Sequence, residues 1–279
     1  MELNDNDDDR LTPRTLLGQR LRRLRDDAGL SLRVLADQVG YPHSYISRIE
    51  RGEQLPSEAL ANALDKRFGT SGLFADLLVM AQDTLIASYS LAFVRKEPDA
   101  ERIQVFTSSL IPGLLQTEGY ARELFRTGSP GIEEDEVNER VTVRMHRKRI
   151  FEHEEPPFYW AIMDEAALSR PVGGVACMKE QIHHILRAAK HPRMTIQVLP
   201  FAQGAHSMLG GSMTLLTLKT GGTIAMVEIF AFGEQVESPK RLIKLSQAFD
   251  VARSKALSEN ESLDLIRHYL KEYENAHDS

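Results

Sequence analysis

Ser31-Leu-Arg-Val-Leu-Ala-Asp-Gln-Val-Gly-Tyr-Pro-His-Ser-Tyr-Ile-Ser-Arg-Ile-Glu-Arg-Gly52 reads as two short helices joined by a tight turn. Leu32, Leu35, Ala36 and Val39 fall on one face of the first helix, and Ile46 and Ile49 on one face of the second. These faces can close on each other. Ala36 is small where the helices approach, Gly40 supplies the positive φ of the turn, and Pro42 pre-sets φ at the start of the second helix. With Ile46 and Ile49 inward, His43, Ser44, Ser47, Arg48 and Arg51 form a row on the outer face. Such a row fits the major groove of duplex DNA, with N-terminal residues meeting base edges and flanking cations meeting phosphates. An ordinary helical hairpin would share the polar face but would not need the joint alanine, glycine and isoleucine spacing.

Working outward, residues 1–14 form an acidic, Asn/Asp-rich leader with a composition expected to be disordered. Leu17, Leu21, Leu24 and Ala28 then mark the apolar stripe of a helix that stops at Gly29. Downstream, Pro56-Ser57-Glu58 opens a further helix with Leu60, Ala63, Leu64 and Phe68 inward and Gly69 as its stop. A fifth helix is predicted over 71–87, apolar at Leu73, Phe74, Leu77, Leu78 and Ala81.

The segment 15–70 resembles the Xre family, the lambda-repressor-like helix-turn-helix regulators, most tellingly in Ser47-Arg-Ile-Glu-Arg-Gly52. The resemblance implies an all-α, five-helix N-terminal domain. Its candidate base-contacting residues are His43, Ser44, Ser47 and Arg48, and its candidate phosphate contacts are Ser31, Tyr45 and Arg51. It also implies a structural ion pair between Arg25 and Glu50, tying the first helix to the end of the reading helix. Leu32 stands where the family often carries a glutamine, so one polar contact of the family is absent here.

At 279 residues, with 42% hydrophobic and 27% charged residues, the chain suits a globular protein of one large or two ordinary domains. No apolar run reaches bilayer length, so no membrane association is expected. The acidic N-terminus is not a secretory signal, so the protein is expected in the cytoplasm and on the nucleoid when bound to DNA. The single cysteine, Cys177, excludes an internal disulfide. It reads as a small buried apolar residue, with a redox sensor as the alternative. The net charge of −6 is unevenly spread: residues 15–68 hold nine Lys or Arg against seven Asp or Glu, a net +2. A weakly basic reading head on an acidic body suits sequence-specific binding and argues against a histone-like coating protein.

The connection between domains is expected at 88–102, around Lys96-Glu-Pro-Asp99, and an α+β domain at 103–275. Strands are predicted at 103–106, 158–163, 194–199, 212–218 and 223–230, the last two joined by a Lys219-Thr-Gly-Gly222 hairpin turn. Helices are predicted from Thr117, which caps the first of them, and over 133–154, 176–190, 238–256 and 260–273. The run Arg140, Arg144, Arg147, Lys148 and Arg149 reads as a solvated face, with an anion, partner or DNA contact as the alternative.

The runs Pro112-Gly-Leu-Leu-Gln-Thr-Glu118, Asp164-Glu-Ala-Ala-Leu168 with Pro171-Val-Gly-Gly174, Val198-Leu-Pro200 and Gly204-Ala-His206 together resemble the C-terminal domain of unknown function of actinobacterial, WhiJ-like regulators. That resemblance implies a transcription factor, often paired with a small acidic protein in an antitoxin-like arrangement. No phosphate-cradling loop, nucleophile elbow or zinc spacing appears, so neither enzymatic activity nor a cofactor or metal is expected. The sequence leaves open whether His206 approaches Asp164 or Glu165. The segments 171–174 and 203–211, with Gly173, Gly174, Gln203, Gly204 and His206, are candidates for a ligand or partner rim, or are merely turns.

Two functions follow. The first is a homodimeric DNA-binding transcriptional regulator of a palindromic operator, whose C-terminal domain dimerises it and senses a small-molecule effector or a partner. The second is an antitoxin-like protein whose main role is to bind a small partner, DNA binding being autoregulatory.

Overall fold

The computed structural model describes residues 11–230 and 232–276. They divide into two compact units. The first runs to Ile86 and also takes in Glu134–Glu139; the second comprises Ala87–Glu133 and the chain from Arg140 onward.

The first unit contains α1 (Pro13–Asp27), α2 (Leu32–Val39), α3 (His43–Glu50), α4 (Glu58–Phe68) and α5 (Leu73–Asp83). The chemistry of each boundary explains the helices. Thr12 and Thr15 form a reciprocal capping box that spans Pro13, so the last residues of the expected leader are already ordered, while residues 1–10 lie outside the described residues. Ser31 and Ser57 cap α2 and α4 through their side-chain oxygens, and Gly40 ends α2 in the left-handed region at φ +77°. Leu17, Leu21, Leu35, Ile46, Ile49, Leu60, Leu64 and Phe74 close one core. Leu24 is only partly buried, and Ala28, at the end of its stripe, caps α1 in solvent.

Asp65 locks α4 to α5. Burial acts to raise its pKa, but hydrogen bonds from the Thr70 hydroxyl and from the Phe74 and Ala75 amides outweigh it and hold the carboxyl below its ordinary value.

In the second unit, the connecting residues 88–102 are folded. They hold α6 (Ser88–Val94), a 3-10 turn at Glu97–Asp99 and the start of β1 (Ala100–Thr107), and they bury Phe93, Glu97 and Ala100. The strands β2 (Phe158–Asp164), β3 (Met194–Leu199), β4 (Ser212–Leu218), β5 (Thr223–Ile229) and β6 (Phe232–Val236) complete a mixed sheet in the order β3-β2-β1-β4-β5-β6. The β1–β2 and β2–β3 pairings are parallel and the other pairings antiparallel. Side-chain alternation splits the apolar residues between two cores. Ile103, Val105, Tyr159, Ala161, Ile196 and Val198 face one of them, and Phe106, Ile162, Leu199 and Leu215 face the other. Helix α10 (Gly174–Ala188) and α12 (Glu259–Asn275) cover the first face, and α11 (Pro239–Lys255) packs Phe249 and Ala252 on the second. The unit is therefore α+β.

The remaining helices are α7 (Glu118–Gly128), α8 (Glu134–Arg147) and the one-turn α9 (Ala166–Ser169). Helix α8 is shorter than the predicted 133–154 because a 3-10 segment, Lys148–Glu152, takes over at its end. Three residues of the cationic run turn inward, while Arg149 is exposed. Arg147 makes a bidentate pair with Glu97 at 2.7 and 2.9 Å, and the Arg144 Nη1 donates to Gln116 at 2.8 Å. The Lys148 ammonium donates to the Gln116 carbonyl at 2.9 Å. Among the described residues no helix is long and apolar enough to cross a membrane.

Candidate nucleic-acid interface

Helix α3 is fixed before it presents anything. Ile46 and Ile49 are completely buried, which sets its rotation, and three contacts set its height and tilt. At its C-terminal end, Arg25 Nε and Nη2 donate to Glu50 at 2.6 and 2.8 Å, and Arg25 Nη1 also reaches Asp26 and the Leu30 carbonyl. Both side chains of the Arg25–Glu50 pair are nearly buried, at 11% and 6% exposure. Donating to the Glu50 carboxylate raises the Arg25 pKa, against the opposing effect of burial.

The second contact is steric. Gly18 of α1 lies so close to the end of α3 that an added Cβ would stand 2.4 Å from the Ile49 carbonyl oxygen and 2.9 Å from that of Glu50. Third, the Tyr45 hydroxyl donates to the Leu55 carbonyl at 3.1 Å and accepts from the Ser57 amide at 2.9 Å.

With its hydroxyl engaged by backbone on both sides and its ring packed into the core, Tyr45 braces α3 against the segment ahead of α4 and offers no donor to a phosphate.

The outer face of α3 divides into two kinds of residue. His43 and Ser44 are exposed at its first turn, and no intramolecular hydrogen bond engages their side chains among the described residues. Farther along, Ser47 accepts from Arg51 Nη1 at 2.5 Å. Arg51 makes a bidentate contact with Glu53 at 2.6 and 2.7 Å. Arg48 is ion-paired with Asp135, in the short first-unit segment 134–139. Ser31 stands exposed at the start of α2, where its oxygen caps the Val34 amide. The first turn of α3 and the cap of α2 thus remain open to a ligand, whereas the two arginines already hold carboxylates.

Sequence reasoning missed Gly18, Asp135 and Glu139. Glu139 accepts from the Leu55 amide at 2.8 Å and pairs with Arg14 through both its oxygens. The available signal was spacing: Asp135 and Glu139 are four residues apart and share a helix face.

In the second unit the residues of the expected rim belong to two segments of the chain. Gly173, at φ +68°, starts α10 against Cys177, where an added Cβ would stand 2.8 Å from the sulfur. Cys177 is half-buried, and burial raises its thiol pKa. Gly174 follows in the first turn of α10. Gln203 and Gly204 are exposed in a different loop, with Gly204 at φ +61° and ψ −140°. His206, in that loop, does reach Asp164: Nε2 lies 3.2 Å from Oδ2, and the ring packs edge-on against Phe106. The Met208 amide donates to Nδ1 at 3.3 Å, so both ring nitrogens are engaged and the pair latches the loop to the end of β2. No hydrogen bond joins Gly173 or Gly174 to the 203–206 segment among the described residues.

A helix-turn-helix domain model matches residues 16–77, spanning α2, α3 and their braces, and with it DNA binding in regulation is the coarse reading of the first unit. A second model, described as a domain of unknown function, DUF5753, matches residues 91–268 and takes in the Pro112–Glu118, Asp164–Gly174, Val198–Pro200 and Gly204–His206 runs. No curated protein and no solved structure matches the chain. Because the second match spans more than half of its length, the chain belongs to the DUF5753 family and carries a helix-turn-helix domain ahead of the family's region.

Proposed function

We propose that the protein is a sequence-specific transcriptional regulator of the Xre type, which inserts α3 into the major groove of a palindromic operator as a homodimer. It is a binding protein rather than an enzyme. His43, Ser44 and Arg48 read base edges, and Ser31 and Arg51 meet phosphates. Ser47 supports Arg51 at the edge of the contact.

The observation that supports this reading most directly is the contrast along α3. Its inward residues Ile46 and Ile49 are fully buried and its end is clamped by Arg25 and Gly18, yet its first turn offers His43 and Ser44 with unused side chains. A reading helix needs that rigidity to hold side chains in register with base pairs.

The experiment is selection of a random duplex library on the full chain, followed by fluorescence anisotropy with the selected sequence. The expected result is a palindrome with half-sites about one helical turn apart, and at least a tenfold weaker Kd for Arg48→Ala on that sequence, the loss of about one bidentate base contact. Failure to enrich any sequence, or an Arg48→Ala variant that binds as wild type, overturns the reading.

A further inference from the structure

We propose that the start of α8 is an internal competitor for the DNA-reading face, so that the protein holds its own reading arginine until DNA displaces the acidic segment. The inference rests on Arg48 being a base-reading residue.

The geometry has an anchor and a reach. Glu139 is the anchor: its side chain is 10% exposed, it caps the Leu55 amide at 2.8 Å just after α3, and it pairs with Arg14 of α1. Val137 beside it is fully buried. Asp135 is the reach, one turn earlier on the same helix face, and it bonds the guanidinium of Arg48. Asp135 stands in the first-unit segment 134–139 between Glu134 and Glu136.

Two physical consequences follow. The Asp135 carboxylate on Nη2 competes with a guanine edge for the Arg48 guanidinium, so a bidentate base contact that uses Nη2 is weakened while the pair stands. And the Asp135 carboxylate at Arg48 repels the phosphates that must come close whenever α3 enters a groove. The Arg48–Asp135 pair is itself weak, because both side chains are open to water at 36% and 42% exposure. A competitor of this strength lowers affinity without abolishing it. The stronger anchor at Glu139 keeps the segment near and raises its local concentration at Arg48.

The test uses the full chain and the operator recovered by selection with wild-type protein. Asp135→Asn is expected to bind that operator about 2–5-fold more tightly, the fold-change that corresponds to releasing one exposed ion pair. Asp135→Lys, which also removes repulsion of phosphate, is expected to exceed Asp135→Asn and to steepen the salt dependence. Amide hydrogen exchange gives a second readout: residues 134–138 lose protection when operator is added, while α3 gains it.

Wild-type or weaker affinity in both Asp135 variants, with Arg48→Ala still weakening operator binding at least tenfold, overturns the competitor and leaves the DNA-reading assignment intact. Unchanged protection of 134–138 on adding operator has the same meaning. If Arg48→Ala binds as wild type, the reading assignment itself fails and the competitor falls with it.

Discussion

Removing Glu50 tests what holds α3 in place. In Glu50→Ala the Arg25 guanidinium, 11% exposed, loses the two bonds at 2.6 and 2.8 Å and keeps those to Asp26 and the Leu30 carbonyl. Breaking a fully buried ion pair by deleting one partner typically destabilises by about 3–5 kcal/mol. Two surviving partners and a residual opening to water bring the expectation to about 2–3 kcal/mol. Replacing both residues with methionine removes the stranded charge along with its partner, so Arg25→Met/Glu50→Met should be less destabilised than the sum of its single variants, with a coupling energy of about 1–2 kcal/mol. The assay is native-state hydrogen exchange on the full chain, read at the amides of α1 and α3. It reports the first unit separately from the second, and a loss of 2–3 kcal/mol appears there as exchange about 30–150-fold faster. A Glu50→Ala effect below about 0.5 kcal/mol, or strictly additive single and double variants, would refute the argument that this pair clamps α3.

Two further outcomes follow from the geometry. Gly18→Ala should destabilise the first unit by about 1–3 kcal/mol, because a Cβ 2.4 Å from the Ile49 carbonyl oxygen forces α1 and α3 apart; helical circular dichroism in urea, with the exposed Gln19→Ala as control, checks this, and a stabilised Gly18→Ala, as helix propensity alone requires, contradicts it. Burial, then Lys148 and Arg187, push His184 down to about 4, so between its ordinary value near 6.5 and that point the unfolded chain takes up a proton the folded chain does not, and stability falls as pH falls through this window. At pH 5 the contribution is at most about 2 kcal/mol and about 1 kcal/mol after solvent screening; His184→Gln should reduce the loss between pH 7 and 5 by that amount in urea unfolding followed by Trp160 fluorescence, and an identical pH dependence in the variant rules the mechanism out.

What the sequence disclosed and what it did not divide by distance along the chain. Capping serines, Gly40, and the Ile46 and Ile49 pair all act within a few residues of where they stand, so α2, the turn and α3 could be read from twenty-two residues. The strands β3 and β4 were likewise legible at their full extents, because Met194–Leu199 and Ser212–Leu218 are uninterrupted apolar or alternating runs. Strand β6 was not: Phe232-Gly-Glu-Gln-Val236 is five residues long with a glycine inside, and only its pairing with β5 makes it a strand.

Helix α8 shows why charge misleads a local reading. Its first-turn carboxylates and last-turn cations both suit the helix dipole, which supplies a sufficient local reason for each and conceals any other. Yet Val137, Val141, Arg144 and Lys148 follow one another at spacings of four, three and four, the periodicity of a single face, and the two valines are buried. A helix whose apolar stripe continues into cations turns those cations inward, where Gln116 receives both. The same periodicity applied to the acidic end places Asp135 and Glu139 together on one face, but it cannot name their partners, because Arg48 and Leu55 lie more than eighty residues earlier. Side-chain spacing therefore determined which charges act together, and only the folded chain determined that two of them close on the helix proposed to read DNA.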